Sequence, residues 1–414
     1  MGANHKSAPI RVREKFHCEP EQINSRLRTI TKNESGIREA VLLSTCNRIE
    51  VYATTDGSEA RQSLLGMLSE WGKTPTDELA KHVYTLFDAA AASHLFAVAS
   101  GLDSLILGEQ QIQHQVRDAA RIARKVGSCG IILSGLFESA DRSATRIRKE
   151  TGIGLDRRSV SSTAILLLST RYPNINSVLV VGAGKMMSLA ADELNFRKKL
   201  EILVANRTPE RSEALARRVS GTSWPYEEIP SALERVDAVL TFTSSNEYVI
   251  TAEEISSAML KRGDRILILV DGSVPRNIDP QTAKISNVHL YNIDDLAPFA
   301  GVQIPEFSKS KAHLMIDAEV AKFVKRLRSY RANDTLRELH RFAEEIRQTE
   351  LSRALNRMDK ISTRQKETID LLTKRIINKL LYEPTARLKK HAGSSDEESF
   401  DLLIRELFAI SKGN

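Results

Sequence analysis

At 414 residues the chain is too long for one ordinary hydrophobic core, so two or three domains are expected, each large enough to fold alone. Its 41% hydrophobic and 27% charged residues are the proportions of a globular protein; no apolar run is long enough to span a bilayer, and no signal-peptide pattern opens the chain. Cys18, Cys46 and Cys129 are far apart and form no Cys-x-x-Cys pair, which argues against a disulfide framework and a structural zinc site and for a reducing compartment. The net charge is +7, and the segment from Lys309 onward, with 23 Lys and Arg against 16 Asp and Glu, carries an excess equal to it. A solvated helical face explains that excess more simply than a polyanion-binding surface does.

In chain order, Gly2 to Pro9 reads as a polar loop with no strand before it, as if the start were clipped. Pro20 suits a first helical turn, with a helix over Gln22 to Ile30. The apolar run Ala40-Val41-Leu42-Leu43 then ends abruptly in Ser44-Thr45-Cys46-Asn47-Arg48, and an alternating stretch, Ile49 to Tyr52, follows. This places Cys46 at a strand end facing an open edge or cleft. Arg48, two residues on, favours the nucleophilic thiolate. Cys46 can equally be a small apolar residue filling that strand end, and these residues leave both readings open. Strands and helices together predict an α/β or α+β N-terminal domain.

From Ala89 the pattern turns helical, through His94 and Ser104 and on to Gln111, Gln115 and Arg117. So many Ser, Asp, Glu and Gln among apolar residues read either as the lining of a pocket or as a solvent-facing helix surface. His94 is a candidate acid or base because imidazole titrates near neutrality, although core or capping histidines are commoner.

A stronger signal follows. Ser177 to Val181 is a buried-strand pattern, Gly182-Ala183-Gly184-Lys185-Met186-Met187 follows it, and Leu189 to Leu194 is helical. A strand, a G-x-G turn and a helix form the first crossover of a dinucleotide-binding fold, even with Met187 in place of the third glycine. A second strand, Leu200 to Ala205, runs into Asn206-Arg207-Thr208, where a guanidinium and a hydroxyl replace the acidic residue of NAD-specific sites; that favours NADPH. Strands at Ala238 to Phe242 and Ile266 to Asp271 extend the parallel sheet, with Thr243, Ser244 and Asp271 facing the cofactor cleft. From Glu306 to Glu383 there is neither Gly nor Pro, and Leu336, Leu339, Ala343, Ile346 and then Ile369, Leu372, Ile376, Leu380 recur at helical spacing. Breaks are expected near Asn333-Asp334 and Asp359 to Thr363, a loop at Gly393 to Glu398 and a last helix over Phe400 to Phe408. A second copy of the chain is the simplest cover for the apolar stripe.

A thiol, a nucleotide turn and a helical arm in one chain imply an acyl group captured as a thioester and reduced to an aldehyde. Asn4-His5-Lys6-Ser7-Ala8-Pro9, Leu43 to Glu50, His94 through Ile112, Val181 to Met186, Asn206-Arg207-Thr208 and Val274-Pro275-Arg276 resemble, in order and over nearly the whole chain, the glutamyl-tRNA reductases of tetrapyrrole biosynthesis. The resemblance implies an α/β multidomain protein: an N-terminal α/β catalytic domain over 1–150, a Rossmann-like NADPH domain over 151–305 and a long helical dimerisation domain over 306–414. Cys46 would attack the ester of glutamyl-tRNA, and reduction would release glutamate-1-semialdehyde, the committed step toward 5-aminolevulinate. His94 matches the family's activity-critical histidine. Thr45, Asn47, Arg48, Ser104, Glu109, Gln110, Gln111 and Gln115 would line the glutamyl pocket, with Arg48 holding the substrate's side-chain carboxylate. Gly182, Ala183, Gly184, Lys185, Met186 and Met187 would receive the pyrophosphate. No metal is implied. The assembly would be a V-shaped homodimer whose free form rests open, the cofactor domain swinging toward Cys46. A downstream aminomutase or a regulatory protein is a possible partner.

The chain departs from the family pattern in three places. No strand precedes the Asn-His-Lys loop, which suggests a trimmed start, a removed transit peptide or a mis-set start; the setting is then bacterial cytoplasm or plastid stroma. His114 stands where a small residue is usual, beside Gln115, and Gly272 where an apolar residue is usual, which would loosen the strand end. These keep a non-catalytic tRNA-binding or regulatory paralogue in view; a dehydrogenase of a small hydroxy acid that uses no thioester is a separate alternative, and the pairing of Cys46, His94 and the Gly182 turn disfavours both.

Overall fold

The structure, a computed structural model, describes residues 1–18, 20–32, 36–55, 59–154, 159–194, 200–300, 305–358, 361–391 and 397–408, at some helical positions by backbone alone. Met1–Asp317 and Ala318–Asn414 form two compact units.

The first unit opens with strand β1 (Gly2–Asn4), helix α1 (Ile10–Arg13), a 3₁₀ turn over Glu14–Phe16 and α2 (Pro20–Lys32). The hairpin β2 (Ile37–Ser44) and β3 (Arg48–Thr55) follows, then α3 (Glu59–Trp71), α4 (Thr76–Leu79), α5 (Asp88–Ser100), α6 (Gln111–Val126) and α7 (Ile131–Thr151). The expected polar loop at the start is therefore a strand over Gly2–Asn4. Pairing makes it so: β1 lies antiparallel to β3, Gly2 opposite Glu50, while Gly2 also exchanges two backbone hydrogen bonds of 3.0 and 2.9 Å with Tyr84. Partners 48 and 82 residues away leave no local pattern to read.

Helix α8 (Val160–Arg171) leads into β4 (Ser177–Val181), α9 (Lys185–Leu194), β5 (Glu201–Ala205), α10 (Pro209–Arg218), β6 (Thr222–Trp224), α11 (Ile229–Leu233), β7 (Ala238–Thr241), α12 (Ala252–Arg262), β8 (Leu267–Asp271) and β9 (Val288–Asn292). The sheet is parallel throughout, in the order β6-β5-β4-β7-β8-β9. All five residues of β4 and of β8 are buried, as strands covered on both faces must be.

Helix α13 (Glu306–Asn356) runs unbroken for 51 residues, about 75 Å at ~1.5 Å per residue, through the expected break at Asn333-Asp334. Asn and Asp cost a helix interior only about 0.7 kcal/mol each, and the neighbouring Leu336 and Leu339 are anchored in a core with Leu381, Leu388 and Ile404. The second expected break holds, since α14 spans Thr363–His391, with residues 359 and 360 outside the described set. The loop residues Gly393 to Asp396 also lie outside it, and α15 (Glu397–Leu407) starts earlier than Phe400. Leu372, Ile376 and Leu380 of α14 stay exposed, so part of the apolar stripe is uncovered within the chain. Among the described residues no helix is long and apolar enough to cross a membrane.

Candidate active site

Thr45-Cys46-Asn47 forms the tip of the β2–β3 hairpin. The Thr45 hydroxyl accepts hydrogen bonds from the backbone N–H groups of Asn47 and Arg48, both at 3.2 Å, and the Thr45 N–H donates to the Arg48 carbonyl at 2.8 Å. A hydroxyl bonding the backbone ahead of it is what holds so short a connection in one geometry. The half-buried Cys46 packs against the core cluster on one face of the parallel sheet, the same cluster against which Ala183, Met186 and Val274 pack.

Burial, and then the nearby charge of Glu109, push the Cys46 thiol up to about 12, and the opposing Arg13 and Arg48 charges are too weak to reverse this. Arg48 therefore does not make Cys46 a thiolate, because its own charge is neutralised by two carboxylates. At pH 8 alkylation of Cys46 by iodoacetamide should be roughly 10³-fold slower in the folded chain than in denaturant, rising about tenfold per pH unit. Peptide mass spectrometry measures this, and equal rates in the two states would contradict it.

Arg48, Glu50 and Tyr52 alternate along β3 and so share one face, and all three are buried. Arg48 Nη1 donates to Glu50 Oε1 at 2.7 Å and to Asp103 Oδ2 at 3.1 Å, and Nη2 donates to the Asp103 carbonyl at 2.5 Å. Asp103 also meets Lys6 Nζ at 2.5 Å and Asn4 Nδ2 at 3.2 Å. Arg48 is only 2% exposed, and its bonds engage both of its terminal nitrogens with the protein's own carboxylate and carbonyl groups. Glu50 accepts from the Tyr52 and Tyr84 hydroxyls, each at 2.5 Å, and lies 2.9 Å from His94 Nε2 on α5. Burial alone would raise the Glu50 carboxyl, but the bond from His94 and the Arg48 charge hold it well below the usual carboxylate range. Gly2 makes room for this arrangement: a Cβ there would stand 2.6 Å from Glu50 Cγ.

The polar run after α5 is not one continuous helix. Gly101 ends α5 at φ 78°, and Gly108 turns the chain again at φ 81°, so Ser104, Glu109 and Gln110 sit on a loop before α6. Arg148 of α7 clamps that loop by donating to the Gly108 and Glu109 carbonyls, both at 2.7 Å. Burial raises the Glu109 carboxyl to about 7, with Arg148 and Arg48 opposing. Ser104 is buried, and Gln111 and Gln115 are half-buried in the first turns of α6. Gln110 is exposed and donates to the Gly154 carbonyl at 3.3 Å, which turns its amide toward the segment after α7. His114 is exposed, so its bulk costs no pocket space.

At the nucleotide turn, Gly182 has φ 100°, and a Cβ there would stand 2.5 Å from the Phe242 carbonyl oxygen; around Gly184 the space is open. That openness, ahead of a helix N-terminus, fits a pyrophosphate approaching the backbone. The Lys185 side chain lies outside the described residues. Met187 is fully buried in the core, where the missing third glycine would have brought helix and sheet closer. The Ala183 N–H donates to Asn206 Oδ1 at 3.2 Å, and Thr208 precedes α10 as its N-cap. Arg207 is exposed, donates to Ser245 Oγ at 2.9 Å and lies over the Tyr226 ring.

Two expectations at the strand ends change. Asp271 does not face the cleft: it is 1% exposed and accepts from the Thr241 hydroxyl and the N–H groups of Ser273, Asn277 and Ile278 at 2.7–3.0 Å. It ties down the loop after β8. Gly272 does not loosen the strand end, because the Phe242 ring occupies the space a Cβ would need, 2.0 Å away.

The model for the N-terminal domain of glutamyl-tRNAGlu reductase matches residues 1–151, the shikimate/quinate 5-dehydrogenase model residues 168–299, and the model for the glutamyl-tRNAGlu reductase dimerisation domain residues 311–410. The glutamyl-tRNA reductase of Rubrobacter xylanophilus is 38% identical over 413 residues, covering 99% of this chain and 96% of that protein. The chain belongs to the glutamyl-tRNA reductase family. The relative from Syntrophotalea carbinolica is 36% identical over 416 residues, covering 99% and 94%. The solved glutamyl-tRNA reductase of Methanopyrus kandleri matches at TM-score 0.51 and 28% identity over 99% of this chain and 98% of that one. Within this family fold the six-stranded parallel sheet is of the nicotinamide-nucleotide-binding type. Glu50, Tyr84 and Asp103 were not among the expected site residues. An acidic residue between apolar neighbours, Ile49-Glu50-Val51, is the signal that marks Glu50, since buried charge demands a partner.

Proposed function

We propose that the chain is an NADPH-dependent glutamyl-tRNA reductase that converts the glutamyl group of charged tRNA to glutamate-1-semialdehyde, the entry to 5-aminolevulinate and tetrapyrroles. What carries this reading is the position of Cys46, on a fixed hairpin tip that packs against the same cluster as the glycine turn, in a chain matched end to end by reductases. Domain boundaries at 1–150, 151–305 and 306–414 go with it, as does a homodimer through the exposed apolar stripe of α14. A cytoplasmic setting goes with the bacterial relatives, and a reactive aldehyde product suits a partner that consumes it.

Cys46 enters as a neutral thiol and must lose its proton before it attacks. Glu109, whose charge acts on Cys46 and whose carboxyl burial raises to about 7, is the group beside the thiol that would take that proton, and His94 is the family-matched candidate for proton transfer to the ester. The Cys46 sulfur then bonds to the ester carbonyl carbon, the bond to the tRNA ribose oxygen breaks, and that oxygen takes up a proton. The resulting thioester is reduced, the carbon–sulfur bond breaks and the thiolate is reprotonated. When bound, NADPH supplies the hydride for that reduction. Gly182, Ala183, Gly184 and the first turn of α9 would hold its pyrophosphate, and Asn206, Arg207, Thr208 and Ser245 its adenosine end, where the guanidinium suits a 2′-phosphate.

A single-turnover assay with tRNA carrying labelled glutamate tests the reading. The parent chain should trap label covalently without NADPH and release semialdehyde when it is added, and Cys46→Ser should do neither. A parent chain that binds charged tRNA yet never acquires label would replace this reading with that of a non-catalytic tRNA-binding paralogue.

A further inference from the structure

We infer that Glu50 and Tyr84 are positioning residues for His94: they fix its proton on Nε2 and leave Nδ1 as the nitrogen that exchanges protons during the reaction. This rests on the proposed reductase function.

The geometry leaves one assignment. Glu50 is a carboxylate and accepts only, so the 2.9 Å contact between its Oε1 and His94 Nε2 requires a proton on Nε2. Tyr84 Oη lies 3.3 Å from the same nitrogen, but its single hydrogen is already given to Glu50 Oε1 at 2.5 Å. Toward His94 it too can only accept. Both neighbours of Nε2 are therefore acceptors, and the neutral imidazole is the Nε2–H form. Edge-to-face packing of the Tyr84 and His94 rings, 5.3 Å between centroids, holds the plane of the imidazole.

Glu50 does more than neutralise Arg48. That guanidinium already has a second carboxylate, Asp103, and Glu50 takes three further donors: Tyr52, Tyr84 and His94. Through Arg48, whose N–H is tied to Thr45, the same carboxylate joins His94 to the hairpin that carries Cys46. Nucleophile and proton carrier are thus referenced to one buried anion, which keeps their separation fixed. The charged and titratable groups around His94 are Glu50, Arg48 and Tyr52 on β3, Tyr84 ahead of α5, Asp103 after α5, and Lys6 after β1, paired with Asp103.

The test uses the full chain with Glu50→Gln and Tyr84→Phe. Glutamine keeps the volume and one acceptor but can also turn an amide N–H toward Nε2, so it no longer fixes the proton there. Thioester formation should fall on the order of 10²-fold, while KM for charged tRNA should stay within about threefold of the parent. Tyr84→Phe should fall about tenfold, since Glu50 still accepts from Nε2. A second measurement does not depend on turnover. Nitrogen-15 NMR of histidine-labelled protein, with His94→Gln for assignment, should show His94 as the Nε2–H tautomer in the parent. An Nδ1–H form in the parent, or a Glu50→Gln variant that keeps the parent rate of thioester formation, overturns the inference. If the parent never traps glutamate, the functional reading fails while the tautomer result still decides the positioning of His94.

Discussion

Replacing Arg48 by alanine is expected to cost about 3–5 kcal/mol of stability, the range for removing one partner of a buried charge network. Arg48 is 2% exposed and its guanidinium meets Glu50 at 2.7 Å and Asp103 at 3.1 Å; without it Asp103 keeps Lys6, but the buried Glu50 loses its guanidinium partner. Lysine should not restore the loss, because a single ammonium cannot reproduce the three contacts of the planar fork. The pH dependence gives a second signature. In the parent, Glu50 is depressed well below its ordinary 4.5, so its contribution is complete above that value and disappears as pH falls through the folded-state pKa. In Arg48→Ala the carboxyl loses the Arg48 charge but keeps the bonds from His94 and Tyr52, so its folded pKa rises toward the ordinary value and the stability that Glu50 adds above that value shrinks. Urea unfolding followed through Trp71 at pH 4 and pH 7 measures both effects, and the double variant Arg48→Ala, Glu50→Gln should recover part of the loss. A cost below about 1 kcal/mol at pH 7 with no change of slope would show that water already solvates this network.

The parts of the fold legible in the sequence were those written locally. Ser177 to Val181 and Ile266 to Asp271 read as strands because a parallel sheet covered on both faces needs unbroken apolar runs, and the glycine turn between β4 and α9 sits where the pattern put it. What stayed hidden was written at a distance. Gly2 to Asn4 is a strand only because β3 and Tyr84 pair with it, and Glu50 finds His94 across 44 residues. The loop from Gly101 to Gln110 is a different case, since two glycines seven residues apart in a helical pattern were the available warning and the apolar periodicity around them masked it. At Gly272 the missing side chain is explained by Phe242, 30 residues earlier, which fills its space.

Severing the Glu14–Arg276 pair is expected to slow the reductive half of the reaction by about 10²-fold while leaving thioester formation close to the parent rate, as a displacement near 1 Å at the reacting groups would do. Two adjacent residues after β1 are tied to the parallel-sheet layer. Arg13 Nη2 meets Asp294 Oδ1 at 2.6 Å, and Glu14 takes both Nε and Nη2 of Arg276 at 2.9 and 2.5 Å, each side chain of the second pair being less than one-fifth exposed. Bidentate geometry and partial burial put this pair above an ordinary surface salt bridge. Of the two ties, Glu14–Arg276 is the informative one to cut, because Arg13 also acts on the Cys46 thiol and its loss would disturb both half-reactions. Capture of the glutamyl group needs the hairpin tip and the charged tRNA alone; reduction needs the nucleotide turn held against that tip. Trapping of label without NADPH, followed by the rate of semialdehyde release on adding it, separates the two in Glu14→Ala and Arg276→Ala. The charge-reversed pair, Glu14→Arg with Arg276→Glu, should recover most of the reductive rate. Equal slowing of both steps would mean that the pair supports the catalytic hairpin itself, and no slowing would mean that packing of Cys46 against the shared core cluster is enough to hold the two layers in register.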